Sequence, residues 1–419
     1  MNYTILFFYL LFPFKYIFPQ TGWIEQNSGI NKTINCIYFQ NHDKGIAIGD
    51  SGKIIITSDG GNNWIPVLSG TSQSLRSMSF STEKTGYIVG DSGLNLKSTD
   101  GGLSWSPTNI PHHEFNFMTV FFLNENLGFA GGKNYQFTDN YIYKTTTGGI
   151  SWDSLPEEGK GSYVKKILFV TPDVGWAVKY HPPLGTEVLY KTTDGGYNWI
   201  FQFNNYQINS FYFIDSLKGW VLETLGSSYI YRTINGGQNW ISCNFCGVGI
   251  GYSLSFINEN NGWIGGGSNI HHTVNGGVNW INQNTSHVVK YNGIYFTDSL
   301  TGWTAGDSGV ILKTTTGGVL TGFSNSSSEI PDQYYLSQNY PNPFNPVSKI
   351  NFGLPRQGFV SLKVYNVLGN EVAVLVNESR STGSYEANFD GSNFPSGIYF
   401  YDLEVDGKIL DTKRMLLLK

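Results

Sequence analysis

Between residues 21 and 320 apolar side chains come in pairs two positions apart, the period of a strand with one buried face. The pairs are Ile37/Phe39, Met78/Phe80, Val120/Phe122, Leu168/Val170, Phe211/Phe213, Leu254/Phe256 and Ile294/Phe296. Each is followed by a phrase in which glycine leads an apolar run: "KGIAIGDSG", "TGYIVGDSG", "LGFAGG", "VGWAVKY", "KGWVLE", "NGWIGG" and "TGWTAGDSG". A third run of the "VILKT" type comes next, and a turn with paired glycines leads to a tryptophan that opens a fourth. Each repeat therefore predicts four short antiparallel strands.

The tryptophans after the glycine pairs are Trp64, Trp105, Trp152, Trp199, Trp240 and Trp280, at spacings of 41, 47, 47, 41 and 40 residues. Forty-one residues before Trp64 stands Trp23, in "GWIEQNSG", with no glycine-pair turn ahead of it. Forty-one residues after Trp280 stands Thr321, where "KTTTGGVLTGFS" has the turn and lacks the tryptophan. The two ends are halves of one repeat, and Trp23 is the blade-closing tryptophan. Four-strand units at this period predict an all-β chain with a seven-bladed β-propeller over residues 21–320, closed by its N-terminal strand. The split has a physical reason: the strand at the seam would otherwise be an unprotected edge.

Composition agrees, with 16% aromatic residues, 51 glycines and only 14% charged residues, a profile of strands and turns. The net charge of -5 comes without a basic block, so nucleic acid is not an expected partner. Residues 1–20 contain "ILFFYLLFPF", of signal-peptide length and too short to span a bilayer. We expect export through this segment and no transmembrane span in the mature protein. Cys243 and Cys246 form "CNFC" in a glycine-rich loop, half a zinc site at most; a local disulfide or two small buried residues is the expectation, with Cys36 in the core. No cofactor and no metal are expected.

"TSDGGNNW" resembles the Asp-box of sialidases, some glucan hydrolases and photosystem-assembly factors. Its aspartate position reads Asp59, Asp100, Thr147, Asp194, Asn235, Asn275 and Thr316, so any small side chain that bonds the backbone suffices. That suits a turn better than an acid catalyst. The Asp-box residues Asp59, Trp64, Asp100, Trp105, Trp152, Asp194, Trp199, Trp240 and Trp280 are read as structural, and Asp50, Asp91 and Asp307 as parts of tight hairpins. Sialidases hold their substrate with three arginines, whereas residues 21–320 have only Arg76 and Arg232, and Arg232 occupies a repeat position. No catalytic residue is assigned.

The two 47-residue spacings lengthen the segments 106–116, 131–140, 153–163 and 178–187. In a propeller these loops open on one face, where repeat proteins place binding surfaces. Candidate ligand-binding residues there are His112, His113, Glu114, Tyr135, Phe137, Glu157, Glu158, Tyr180 and His181, aromatic and acidic groups suited to sugar rings or a protein patch. The "GWAVGDSG…ILKTTDGG" rhythm resembles the photosystem II stability/assembly-factor-like family, which implies a non-catalytic propeller that docks onto something. The alternative is a secreted glycoside hydrolase or lyase using loop carboxylates on that face.

After a Ser/Asn-rich linker, residues 321–332, the pattern changes. Residues 333–419 alternate as short strands, with a hairpin at Asp406–Gly407, and predict an Ig-like β-sandwich. "LSQNYPNPFNP", "VYNVLGNEV", "FPSGIYFY" and "KRMLLLK" resemble the C-terminal sorting domain of type IX secretion. The resemblance implies the type IX machinery as a partner and delivery outside the cell or to its surface. A polysaccharide or surface protein is the expected partner of the propeller loops.

Overall fold

The computed structural model describes residues 22–111, 115–134, 142–155, 163–181, 183–205, 207–225, 227–243, 250–285, 287–318 and 333–419. The chain divides into two compact units, residues 1–320 and 321–419. Among the described residues no α-helix occurs; the helical content is two single 3₁₀ turns, Asp50–Gly52 and Asp307–Gly309.

The first unit holds seven four-stranded antiparallel sheets. Sheet I comprises Ile34–Phe39, Gly45–Gly49, Ile54–Thr57 and Ile65–Val67. Sheets II to VII begin with Leu75–Phe80, Phe115–Phe122, Val164–Phe169, Ile208–Phe213, Gly251–Phe256 and Tyr291–Phe296. Each first strand packs on the first strand of the next sheet, and that of sheet VII packs on that of sheet I, so the ring is closed. The fourth strand of sheet VII is Gly22–Gln26, paired antiparallel with Ile311–Gly318. The first and last described strands of the unit thus share one sheet.

The alternating pattern becomes packing at one phenylalanine per sheet: Phe39, Phe80, Phe122, Phe169, Phe213, Phe256 and Phe296. Each ring lies across the glycine that opens its sheet's second strand, so close that a Cβ there would fall 2.3–2.6 Å from ring atoms. Glycine is required at Gly45, Gly86, Gly128, Gly175, Gly219, Gly262 and Gly302 because the ring occupies the side-chain space. The tryptophan after the glycine pair meets the same ring edge-on, as Trp64 does Phe39 at 5.9 Å and 87°. In sheet VII this contact comes from Trp23, 5.8 Å and 89° from Phe296. Its indole Nε1–H donates to Gln283 Oε1 in sheet VI at 2.9 Å.

Sheet IV departs from the sequence reading by one residue. Ile167 and Phe169 are the buried pair, packed toward sheet III, while Leu168 packs toward sheet V and Val170 falls beyond the strand. Four consecutive apolar residues leave the alternation ambiguous there. Phe169 settles the register, since its ring must cover Gly175 and stack beneath Phe129 of sheet III at 3.8 Å.

The second unit contains a three-stranded sheet (Tyr335–Leu336, Val347–Leu354, Gly383–Asp390) and a four-stranded one (Glu371–Arg380, Gly358–Tyr365, Gly397–Val405, Lys408–Leu417). They bury a common core that includes Ile350, Phe352, Val360, Leu362, Tyr401, Leu403 and Met415. Asp406 and Gly407 have φ of 51° and 79°, the left-handed pair of a two-residue type I′ hairpin. The "SQNYPNPFNP" segment is tied to the last strand. Gln338 Nε2 donates to the Arg414 carbonyl, Leu416 N–H donates to Asn342 Oδ1, and Phe344 N–H donates to the Leu416 carbonyl. Tyr401 adds a buried hydroxyl that accepts from Asn339 N–H at 2.6 Å and donates to the Ser337 carbonyl at 2.8 Å.

Because Trp23 is only 2% exposed and Ile24 is 64% exposed on the same strand, adjacent substitutions should differ sharply. Trp23→Ala is expected to cost about 3–5 kcal/mol of unfolding free energy in urea, followed by tryptophan fluorescence, and Ile24→Ala less than about 0.5 kcal/mol.

Candidate functional site

Three of the seven glycine-pair turns carry an aspartate. Thr57 Oγ1 accepts from Gly61 N–H at 2.9 Å and donates to Asp59 Oδ1 at 2.8 Å. Asp59 also accepts from the backbone and side-chain N–H of Asn63, at 2.9 and 2.7 Å. Gly60 and Gly61 have φ of 70° and 92°, a left-handed pair that a side chain would strain. Asp100 and Asp194 repeat the pattern with Ser104 and Asn198. Asn235 and Asn275 accept the equivalent backbone N–H at 3.0 Å, and Thr147 does so with its hydroxyl at 3.0 Å. A neutral amide or a hydroxyl thus performs the same task as the carboxylate, and this chemistry holds a turn.

The turns also join neighbouring sheets. Trp303 Nε1–H of sheet VII donates to the Gly60 carbonyl of sheet I at 3.0 Å. Tyr87 and Lys97 of sheet II both donate to the Gly148 carbonyl of sheet III, at 2.7 and 2.8 Å. Lys144, Lys191, Trp220 and Trp263 continue the series to Gly195, Gly236, Gly276 and Gly317 at 2.9–3.1 Å. At the junction of sheets I and II the corresponding residues are Ile46 and Ile56, and Ile46 fills the space at Gly102 instead.

A second feature lies at the centre of the ring. All seven first strands carry a β-bulge at the same place, with register breaks at Asn35, Arg76, Met118, Lys165, Asn209, Tyr252 and Asn292. A bulge sets two successive residues against one partner and re-aims their side chains. These residues line a central cavity of about 990 Å³ bounded by all seven first strands. Several reach sideways to the next strand: Asn35 Nδ2 to Leu75 O, Lys165 Nζ to Ile208 O, Asn209 Nδ2 to Gly251 O and Asn292 Nδ2 to Ile34 O, at 2.6–3.1 Å. Arg76 instead makes a bidentate pair with Asp91, at 3.0 and 2.7 Å. Lys165 is also paired with Glu187, which is 5% exposed and accepts from Tyr163 Oη–H and Ile208 N–H as well.

Of the candidate residues read from the long loops, His112, His113, Glu114, Tyr135, Phe137, Glu157 and Glu158 lie outside the described residues. Tyr180 and His181 end the second strand of sheet IV, Gly175–His181. The Tyr180 ring stacks on Tyr163 at 5.3 Å and 2°. Tyr163 bonds Glu187 and lies under the Lys133 ammonium, and Lys133 itself lines the cavity. Tyr180 therefore stands beside the cavity rim. His181 Nδ1 is buried without a hydrogen-bond partner among the described residues. Cys243 is buried with a free thiol, Cys36 is a free thiol on the cavity wall, and Cys246 is outside the described residues. Among the described residues no cluster of three or more His, Cys, Asp or Glu side chains could hold a metal ion, and no helix is long and apolar enough to cross a membrane.

Sequence reading did not find the cavity residues. The signal was present as an additional polar residue beside the apolar pair of several first strands, but simple alternation cannot show that a bulge places neighbours on one face.

The turn aspartates make acid stability readable. Hydrogen bonds from Asn63, Ser104 and Asn198 hold the carboxyls of Asp59, Asp100 and Asp194 down at about 2. A depressed carboxyl stabilises the fold above its unfolded value, near ~4, and that contribution disappears as pH falls toward ~2. The triple variant Asp59→Asn/Asp100→Asn/Asp194→Asn should flatten the fall in melting midpoint over this interval, while staying close to the parent at neutral pH. Near-UV circular dichroism melts across the range check this.

Comparison with known proteins places these features. Residues 18–162 match the family model "Photosynthesis system II assembly factor YCF48", and residues 338–417 match "Secretion system C-terminal sorting domain". No curated protein matches the chain in sequence. Among solved structures, YCF48 bound to a D1 peptide superimposes with a TM-score of 0.59 at 21% identity, over 71% of this chain and 98% of that one. YCF48 from Cyanidioschyzon merolae gives 0.55 at 21%, over 70% and 98%. The Niastella koreensis GH74 enzyme gives 0.56 at 14%, over 77% of this chain and 58% of that one. At these identities the likeness shows the fold, a β-propeller. The chain is an all-β protein whose propeller is similar to the YCF48 assembly factors and whose residues 338–417 match a secretion sorting domain.

Proposed function

We propose that this is an exported, cell-surface or extracellular seven-bladed β-propeller that binds a polysaccharide or protein partner without catalysis. In this reading residues 1–20 are a signal peptide and residues 21–320 the Asp-box propeller closed by Trp23. Residues 321–332 are a linker, and residues 333–419 an Ig-like type IX sorting domain. The match of residues 338–417 to a sorting-domain model supports delivery to the surface or beyond. The observation that carries the non-catalytic reading is that the turn carboxylates are engaged in holding their own backbone, where asparagine and threonine serve equally.

The loops of the two longest repeats form the proposed binding face, with His112, His113, Glu114, Tyr135, Phe137, Glu157, Glu158, Tyr180 and His181 as contacts. The placement of Tyr180 beside the cavity rim supports a single face. A second reading, a glycoside hydrolase or lyase acting through Glu114, Glu157 or Glu158, draws on the likeness to a GH74 enzyme.

One experiment separates the two: native electrophoresis of the full chain in gels cast with extracellular polysaccharides, with reducing ends assayed in the same samples. Retardation without cleavage, weakened by Tyr180→Ala by about tenfold in apparent affinity, is the expected result. New reducing ends abolished by alanine at Glu114, Glu157 or Glu158 would overturn the non-catalytic reading. Absence of both effects would remove the polysaccharide and leave the protein partner.

A further inference from the structure

Four cations line the cavity, of which Lys133 stands over the Tyr163 ring. Arg76 is matched by Asp91 and Lys165 by Glu187. Lys166, the next residue, also faces the cavity and has no such match: its ammonium donates to Ser210 Oγ at 2.9 Å and lies 5.4 Å from the Phe211 ring centre. Among the described residues no carboxylate stands within ion-pair distance of it. An ammonium has three donors, and one neutral hydroxyl leaves most of that capacity unused.

A thiol and three phenols share the wall with Lys166, while the Asp91 carboxylate is taken up by Arg76. Cys36 stands across from Lys166, and burial pushes its thiol up to about 11, so it stays protonated at neutral pH. Tyr38, Tyr212 and Tyr295 line the same cavity. Burial raises all three phenols, and Tyr295 is raised further by the neighbouring Tyr38 and Tyr212. They too remain O–H donors. Phe121 and Leu168 complete an apolar lining between these groups.

A partly buried cation beside hydroxyl donors and aromatic faces is chemically matched by an anion with an apolar body. The volume, about 990 Å³, is that of a small-molecule site. We propose that the central cavity is a binding site for a small organic acid, its carboxylate on Lys166 and its apolar group against Tyr38, Tyr212 and Tyr295. This site is independent of the loop face, and its occupancy would not require the polysaccharide or protein partner.

The test is calorimetric titration of the full chain with hydrocinnamate and with its neutral amide, hydrocinnamamide. The acid is expected to bind one per chain and at least about tenfold more tightly than the amide. Lys166→Met, which keeps the length and removes the charge, should bring the acid down to the level of the amide. Burial holds the Lys166 ammonium down at about 8, so acid affinity should also fall as pH is raised through that value and the cation is lost.

Lys166→Met relieves a desolvated charge, so its ligand-free melting midpoint should equal or exceed the parent's; a purely structural lysine would instead lose stability. Should that variant not fold, the pH dependence of the parent decides alone. Equal affinity for acid and amide, acid binding unchanged in Lys166→Met or across pH ~8, or no binding at about 10 mM acid would each overturn the proposal.

Discussion

The ring depends on one carbonyl at each of six of its seven junctions. The first glycine of each turn is held in a left-handed conformation by its own sheet, which aims its C=O at the preceding sheet. There an indole, phenol or ammonium donates to it at six of the seven junctions. Geometry within a sheet thereby fixes geometry between sheets. Buried carbonyls need partners, and an orphaned one costs about 1–3 kcal/mol, so each of these six junctions penalises misalignment as well as rewarding contact. Ring stacking reinforces the same joints, with Trp303 on Phe39, Trp176 on Phe213 and Trp220 on Phe256 at 3.5–3.6 Å.

This division of labour explains why the aspartate position tolerates asparagine and threonine while the glycine pair does not vary in any of the seven turns. The side chain only steadies the turn; the glycine carbonyl connects sheets. The bulges play a complementary part. The bulged residues, polar in every first strand but that of Met118, line the centre and leave a wall of mixed chemistry inside. What the protein offers a small ligand is therefore set by the bulged positions and their neighbours: three are asparagine, Asn35, Asn209 and Asn292, and the other four are Arg76, Met118, Lys165 and Tyr252.

Much of the fold was legible because it is periodic. The spacing of the tryptophans located the sheets, and the offset of Trp23 against Thr321 located the shared one. The Asp406–Gly407 hairpin followed from backbone preference alone. What alternation could not resolve was local register. In "KKILFV" each of two registers offers an apolar pair, and only the glycine beneath Phe169 chooses between them. The cavity was hidden for a related reason, since a bulge breaks the period of two on which the reading relied. Glu187, distant in sequence from Lys165 and Ile208, shows nothing beforehand of the contacts that bury it.

The shared sheet has a kinetic side. Trp23 and its indole partner Gln283 are 260 residues apart in the chain, yet both belong to the last joint to be made. Closing so long a loop is entropically costly and cannot begin until the far end exists. During synthesis the first strand must wait unpaired, and any sheets already formed present a raw margin. A chain cut short anywhere before residue 318 keeps that margin permanently. Completion of the ring thus waits on residue 318, when the first strand of the unit meets its last.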